Sequence, residues 1–294
     1  MLCLYFLSTY IKIDFFFIFL DKHINMGASS TVQPDKPCEP DAMAASELPV
    51  TGVAIHYPQG HVVPMHQHQH GHLIYASQGL LRVEAETGQW LVPPTSAVWL
   101  RPEVTHRLVV PVALQAHGLF IRKDICTNLP PTDCVVQISR LLRECITELT
   151  CVDYTAPISR RTHLLSELLL EELSTPPALP FHLPWPQDVQ IQNVCHILMG
   201  DPSHNATAGD WASMLAIGEK TFHRRFVKST GMTFGKWRQQ LRLMSSLTQL
   251  MQGAPITQIA LNSGYDSHSA YTTAFKKQFG QTPSEFIQRQ SVMQ

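Results

Sequence analysis

The sequence predicts an α+β protein, in which an antiparallel β-barrel with two helices precedes an all-α domain that contains two helix-turn-helix units. Three observations predict this class. Short β-type runs alternate with turn residues up to about residue 121, apolar residues then recur at helical spacing, and a proline-rich stretch precedes a wholly helical remainder. The length of 294 residues also favours two domains, because single cores usually stop growing at roughly 250 residues.

The charge balance excludes a wholly basic nucleic-acid coat and an acidic disordered chain, because the formal net charge is only -1. The charges are unevenly distributed. Residues 187–294 carry 10 basic and 6 acidic side chains, a balance of +4, whereas the preceding part carries 12 and 17, a balance of -5. The seven cysteines form no CxxC pair, and we interpret them as reduced thiols of a cytoplasmic protein.

Residues 1–25 form an apolar, Phe-rich segment that two interpretations explain. A run of about 20 apolar residues can cross a bilayer, which would give a membrane-anchored protein. Lys12 and Asp14 interrupt the run, however, and each charge costs about 2.5 to 3.5 kcal/mol inside a membrane. We therefore expect a start codon placed too far upstream, with a native chain that begins at Met26 and a disordered lead-in over residues 26–48. A membrane contact is expected only if residues 1–20 are native.

Seven short β-type runs lie between residues 50 and 121, separated by Gly, Pro, Thr and Ser. They are VAIHY, HLIYA, LLRVEAE, QWLVP, AVWLR, HRLVV and LQAHGLFI. Many short strands without a helical period between them are typical of an antiparallel sandwich or barrel. The pattern thus predicts a β domain over residues 49–122.

Two helices are predicted in residues 134–174. The first carries an apolar stripe and the second runs over residues 159–173. The stripe consists of Val135, Ile138, Leu141, Leu142, Cys145, Ile146 and Leu149. Because these helices carry more apolar residues than one small barrel can cover, we expect them to form a dimer interface. The segment STPPALPFHLPWPQ then contains five prolines, which predicts a linker between domains over residues 175–187.

Residues 188–294 predict helices joined by tight turns, with one motif that occurs twice. Thr207 and Asp210 predict a capped helix, and in the next helix Phe222 and Phe226 are four apart and face inward. The second copy follows a turn and has Tyr271 and Phe275 at the same spacing. Each unit therefore presents an outward face that is free to contact a partner.

This helical region resembles the DNA-binding domain of AraC/XylS-type transcriptional regulators. The resemblance is carried by GMTFGKWRQQLRL at residues 231–243 and by ITQIALNSGYDSHSAYTTAFKKQFGQTPSEF at residues 256–286. It implies a regulator that binds double-stranded DNA in a sequence-specific way. The predicted joining helix from Thr233 to Met251 would be about 28 Å long, which can hold two recognition helices roughly one DNA turn apart.

The resemblance also assigns roles to outward side chains. The candidates for reading bases are Lys220, His223 and Arg224 in the first unit, and His268, Ser269 and Thr273 in the second. Arg224 is the strongest candidate, because a guanidinium can contact O6 and N7 of guanine together. The candidates for phosphate contacts are Lys228, Arg238, Arg242, Lys276 and Lys277. For each cation the alternative is an ordinary solvated helix surface.

Histidines alternate with other residues in the segment MHQHQHGH. Imidazoles at i and i+2 of a strand point to the same side and can bind Zn, Ni, Mn or Fe. The spacing resembles the first cupin motif, with Gly60, His66, His68 and Gly79 in place and His72 where the family has Glu. His106 stands at the position of the second-motif histidine, although Arg101 and Glu103 replace the expected Pro and Gly.

This resemblance implies a cupin-like sensor domain of the kind found in some AraC-type regulators. Three interpretations of His66, His68, His72 and His106 stay open: a divalent metal site, a metal-free effector pocket, or surface histidines. The leading functional hypothesis is a cytoplasmic, dimeric transcriptional regulator that responds to a small-molecule effector, with RNA polymerase as a candidate further partner. The alternative is a metal-dependent cupin enzyme, a dioxygenase or isomerase with a helical appendage. We expect no enzyme, because no acid/base pair adjoins the histidines.

Overall fold

The computed structural model describes residues 47–94, 96–175 and 178–292. The predictions about residues 1–25 and about most of the lead-in therefore lie outside the described residues. Within the described part of the chain, no helix is both long enough and apolar enough to cross a membrane.

In the described residues, nine strands form one sheet in which every pairing is antiparallel. In chain order they are β1 (Val50–Tyr57), β2 (Val62–His66), β3 (Gly71–Ala85), β4 (Gly88–Val92), β5 (Ser96–Leu100), β6 (His106–Ile121), β7 (Cys134–Gln137), β8 (Ala178–Leu179) and β9 (His182–Pro184). The main path runs β1-β6-β3-β5-β7-β8, while β2 pairs with β6 and β4 lies between β3 and β9. The predicted antiparallel β domain is thus confirmed at the level of the sheet.

The two longest strands each combine two of the predicted runs. β3 continues through Gly79, where the φ angle is +79° and the pairing with β6 shifts register. A side chain at this position would collide with the carbonyl oxygen of Ala113 on β6, so only glycine lets the two strands approach here. The predicted breaks after HLIYA and HRLVV are therefore irregularities within long strands.

Two helices, α1 (Arg140–Leu149) and α2 (Arg160–Ser174), pack on one face of the sheet. Ser139 and Ser159 cap their first turns through side-chain oxygens. The prediction that the first helix includes Val135 was wrong, because residues 134–137 form β7 and pair with β5. A short apolar run is ambiguous between strand and helix, and here the sheet edge decided it.

Seven helices follow in the part of the chain that the structure describes, up to residue 292. They are α3 (Val189–Gly200), α4 (Ala208–Met214), α5 (Glu219–Thr230), α6 (Phe234–Met251), α7 (Ile256–Asn262), α8 (His268–Phe279) and α9 (Pro283–Val292). The sequence predicts this all-α region correctly, including the long joining helix, which is α6 with Thr233 as its N-cap. The helices α4 and α5 form the first helix-turn-helix unit, and α7 and α8 form the second.

The proline-rich segment is part of the fold. Instead of a free linker, β8 pairs with β7 and β9 pairs with β4 at the sheet margin, where proline is tolerated because its missing N–H is not needed. The helical region also holds β9, since the indole N–H of Trp237 donates to the carbonyl of Pro184 at 2.9 Å. Phe181 stacks on Phe279 of α8 with ring centroids 4.9 Å apart. The segment therefore joins the sheet to the helices.

Candidate nucleic-acid interface and histidine cluster

The first helix-turn-helix unit has an aromatic core. A capping box between Thr207 and Asp210 starts α4, as predicted. Phe222 and Phe226 of α5 are fully buried and meet Phe234 at ring-centroid distances of 5.4 Å each. This packing fixes the rotation of α5 about its axis and turns the opposite face outward.

The outward face of α5 carries the predicted base-reading residues of this unit. Lys220, His223 and Arg224 are all exposed, and Lys228 is exposed one turn further along. The His223 ring lies 3.6 Å from a carboxylate oxygen of Glu219, one turn earlier on the same helix. Glu219 was missed as a candidate in the sequence, although an acidic side chain here can accept a hydrogen bond from cytosine N4.

The second unit is built in the same way but carries fewer charges. Ser267 caps α8 through its hydroxyl, and Tyr271 and Phe275 are fully buried, as predicted. The Tyr271 hydroxyl lies 2.9 Å from that of Ser246, which attaches α8 to the joining helix. The predicted contact residues of this unit are all exposed: His268, Ser269, Thr273, Lys276 and Lys277.

Arg242, one of the predicted phosphate contacts, forms hydrogen bonds within the protein. Its guanidinium donates to the carbonyls of Pro202, Ser203 and His204, and to the carbonyl of Gly264, at 2.9 to 3.3 Å. These hydrogen bonds hold the group inside the protein. The guanidinium is thus engaged within the protein, and its phosphate contact stays a prediction.

Arg238 is also partly engaged within the protein. Its Nη1 donates to the carbonyl of Ala206 at 2.7 Å, and its guanidinium carbon lies 5.1 Å from the centre of the Phe234 ring. Burial lowers the pKa of this guanidinium, with the nearby charge of Arg242 as a second cause. Of the five predicted phosphate contacts, Lys228, Lys276 and Lys277 are exposed, whereas Arg238 and Arg242 are partly buried.

The predicted histidines come together within the sheet domain, although His72 and His106 lie at opposite ends of the β3–β6 pairing. Ligand nitrogens of His66, His68 and His106 all lie within 4.8 Å of one another. His66 and His106 face each other across the β2–β6 pair, with ring centroids 4.4 Å apart. The ring of His72, on β3, lies 4.7 Å from that of His68 and stacks on Phe120.

Hydrogen bonds orient two of these rings. The Nδ1 atoms of His66 and His106 lie 2.7 and 2.8 Å from the carbonyl oxygens of Pro64 and Val104. A ring whose Nδ1–H donates to a carbonyl presents the lone pair of Nε2 at its other side. In the described residues, the Nε2 of His106 is buried and has no hydrogen-bond partner. A buried nitrogen of this kind is suited to a metal ion or a polar ligand.

Burial favours the neutral form of three of these imidazoles by lowering their pKa values. It lowers the pKa of His68 to about 4, with the neighbouring His66 as the next cause. It also lowers the pKa of His106 to about 4 and that of His72 well below its usual value. Neutral imidazoles are the form that binds metals, because their lone pairs are free.

The turn before His106 keeps a glycine-like shape without glycine. Glu103 has a φ angle of +66°, in the left-handed region. Its backbone N–H donates to the carbonyl of His68 at 2.8 Å, so the turn supports the histidine cluster. Its carboxylate pairs with Lys123 at 2.8 Å. Glu103 therefore adopts the left-handed backbone conformation that glycine favours.

Two exposed recognition helices beside a sheet domain define a class of protein: a DNA-binding transcriptional regulator with a ligand-binding N-terminal domain. Comparisons with known families agree. Residues 211–289 match the model of a helix-turn-helix domain, and residues 48–119 match that of the AraC-like ligand-binding domain. The chain belongs to the AraC family of transcriptional regulators.

Individual relatives show the same class. The chain is 37% identical over 229 residues to the HTH-type transcriptional regulator NimR of Escherichia coli K12, which covers 77% of this chain and 82% of NimR. It is 29% identical over 122 residues to RipA of Corynebacterium glutamicum, covering 42% of this chain and 35% of RipA. Among solved structures, ToxT from Vibrio cholerae aligns with 81% of this chain and 97% of its own, at 12% identity and a TM-score of 0.35.

Proposed function

We propose that this regulator reads DNA with the outward faces of α5 and α8, which enter two successive major grooves. The observation that carries the proposal is the burial of Phe222, Phe226, Tyr271 and Phe275, because it leaves the opposite face of each helix exposed. In the first unit Lys220, His223 and Arg224 contact base edges. In the second, His268, Ser269 and Thr273 do so.

The two units contribute differently to this recognition. Arg224 and the exposed Lys228 give α5 both a guanine-reading group and a phosphate contact. The exposed outer face of α8 carries Lys276 and Lys277 at its C-terminal end, with the smaller polar groups nearer its start. We therefore assign most of the base selectivity to the first unit, and mainly positioning to the second.

We further propose that the histidine cluster binds one divalent transition metal ion. His66, His68 and His106 supply three nitrogens, and His72 lies beside them as a fourth. Nitrogen ligands of a tetrahedral ion stand about 3.4 Å apart when the bonds are about 2.1 Å long, which is compatible with donor atoms within 4.8 Å of one another. An all-nitrogen set suits Zn²⁺, Ni²⁺ or Co²⁺ better than Mg²⁺ or Ca²⁺.

Metal titration of the full chain tests this site. After treatment with a chelator, wild type should bind one Co²⁺ per chain and develop the intense visible absorption of a tetrahedral complex. His66→Gln and His106→Gln should lose both signals. His56→Gln is the matched control, because His56 is exposed on β1 and stands outside the cluster. Absence of stoichiometric binding in wild type, or equal binding by all variants, would disprove the metal site.

We infer that this site senses and does not catalyse. Among the described residues, the group of candidate ligands contains three histidines and no carboxylate that could act as an acid or base beside a bound metal. Effector binding shifts DNA binding only if the two states differ in effector affinity. Duplex affinity measured with and without the ion therefore shows whether the metal is the effector or a fixed part of a pocket for another small molecule.

We also propose that the regulator is a cytoplasmic homodimer, with RNA polymerase as a further partner at the promoter. Contacts at 2.8 Å between Ser139 and Glu172 and at 2.7 Å between Arg161 and Glu148 show that α1 and α2 run antiparallel. Most of their apolar residues pack on the sheet, so fewer apolar side chains are left uncovered than the sequence predicted. Three leucines, Leu141, Leu164 and Leu168, remain 38 to 53% exposed and supply the proposed contact.

A further inference from the structure

Arg242 lies between the two helix-turn-helix units. It projects from α6, the helix that joins the units, and three of its acceptors belong to the loop just before α4 of the first unit: Pro202, Ser203 and His204. The fourth acceptor is Gly264, in the turn between α7 and α8 of the second unit, at 2.9 Å. One side chain thus contacts both units and the helix that connects them.

The chemistry of this contact favours arginine specifically. A guanidinium is planar, stays charged, and offers five N–H donors in a rigid fork. Here the fork donates from Nε, Nη1 and Nη2 to four carbonyls that belong to two separate segments of the chain. A lysine ammonium would keep the charge but could not reach this set with one compact group.

Gly264 gives a second and independent view of the same junction. A Cβ at this position would lie 2.8 Å from the guanidinium carbon of Arg242 and 3.1 Å from the Cα of Ser203. The turn of the second unit and the loop of the first are therefore in direct contact around Arg242. Any side chain at residue 264 would push them apart.

We propose that Arg242 is a positioning residue for DNA recognition, which holds the two helix-turn-helix units at one fixed orientation so that both enter the duplex together. The proposal rests on the two-groove binding proposed above. When the orientation is fixed before binding, the units lose less conformational freedom on the DNA, and the entropic cost of binding is smaller. Two rigidly linked units also bind together only when their spacing matches that of the target. Arg242 acts on the units and makes no contact with the duplex.

The test compares spacing dependence in wild type and in Arg242 variants. The probes are a duplex selected by the wild-type chain from a randomised library, the same duplex with base pairs inserted between the two contacted grooves, and a random duplex. Wild type should lose affinity steeply on insertion. Arg242→Gln should bind the intact duplex about tenfold more weakly, with a flatter response to insertion, because the units can reorient.

Two further measurements separate positioning from a phosphate contact. Loss of a phosphate contact would weaken binding equally on every duplex and reduce the slope of log affinity against log salt by about one. It would also be repaired by Arg242→Lys, which retains the charge. Positioning predicts an unchanged salt slope and no repair by lysine. The opposite results, or a wild-type response to insertion in Arg242→Gln, would overturn the proposal.

Two glycine variants provide a second test in case the Arg242 variants fail to fold. Gly264 and Gly280 both have φ angles of +73°, so alanine costs similar backbone strain at either position. Only Gly264 adjoins Arg242, whereas a Cβ at Gly280 would meet nothing within 4 Å. Gly264→Ala should therefore flatten the spacing response and Gly280→Ala should not. If wild type itself shows no spacing response, the two-groove proposal fails; identical behaviour of the two glycine variants contradicts the role of Arg242 alone.

Discussion

At the scale of single residues, Arg224 should determine much of the base selectivity. Its side chain is exposed on the outward face of α5. Replacing it with alanine should cost about 1 to 3 kcal/mol of binding free energy on a specific duplex and relax selectivity at one base pair, because a bidentate contact to guanine is lost. Competition binding with specific and random duplexes measures both effects.

Lys228→Ala is the matched comparison for this variant, since Lys228 is exposed on the same helix. A phosphate contact adds affinity without reading sequence, so its loss should weaken specific and random binding alike and lower the salt slope by about one. If Arg224→Ala gave this same uniform loss, Arg224 would be a phosphate contact and the base-reading role would be wrong.

Single residues also show where sequence reasoning reaches its limit. The inward aromatic pairs were predictable because residues four apart share a helix face. The role of Arg242 was not, because its acceptors are backbone carbonyls 22 to 40 positions away. A carbonyl belongs to every residue, so such a contact leaves no signature in the side-chain pattern.

At the scale of elements, β9 is the strand that sheet and helices share. His182 stacks on Trp90 of β4, with ring centroids 4.9 Å apart. The carbonyl of the same residue accepts a hydrogen bond from the side chain of Gln240 on α6. The joining helix also contacts β3 and β6 directly. The strand β9 and the helix α6 therefore form a continuous set of contacts between the sheet and the helical region.

We expect the partly buried imidazole of His182 to make this junction sensitive to acid. Burial lowers the pKa of His182 below its usual 6.5, partly offset by the charge of Asp133. Because the unfolded chain then takes up a proton more readily than the folded one, stability is greatest above about pH 6.5 and falls as the pH decreases below it. The variant His182→Phe keeps the ring but cannot be protonated, so its stability should fall less steeply.

Urea unfolding of wild type and His182→Phe at several pH values below neutrality checks this prediction. Other buried histidines contribute to the wild-type slope, so the informative quantity is the difference between the two proteins. His56→Phe, at an exposed site on β1, should retain the wild-type slope. Parallel curves for wild type and His182→Phe would show that His182 contributes nothing to acid sensitivity.

Among the elements, those with strong periodicity or caps were predictable and the shortest strands were not. The capping box at Thr207 and the cap at Ser267 locate two helix starts in sequence as in structure. The strands β7, β8 and β9 have two to four residues each, too few to show a period. Prolines in the last segment suggested a linker, and a sheet margin tolerates them equally well.

At the scale of the whole molecule, the exposed leucines of α1 and α2 should hold two chains together. Wild type is expected to sediment as a dimer. The double variant Leu164→Gln, Leu168→Gln should be monomeric and still folded, because both side chains are already exposed and their loss leaves the core intact. Val189→Gln is the control, since Val189 is 68% exposed but lies on α3. A monomeric wild type at micromolar concentration would refute the dimer.

The division of the molecule into a sensor and a reader was predictable, since the two halves differ in period and charge. Their mutual packing was not. One continuous hydrophobic cluster contains Leu91 and Leu183 from the sheet and Leu241 and Met244 from α6, so the two parts share a core. The packing of two domains depends on the shapes of their apolar faces. The sequence pattern of either half alone does not predict which faces meet.

Hydroxyl-radical footprinting of the wild-type chain on its selected duplex tests the central claim most directly. Two rigidly joined recognition helices on one face of B-form DNA should protect, for each protomer, two patches about 10 base pairs apart on the same side of the duplex. Arg224→Ala should weaken the patch contacted by α5 more than the other. Protection of a single patch per protomer, or of patches on opposite faces, would contradict the account.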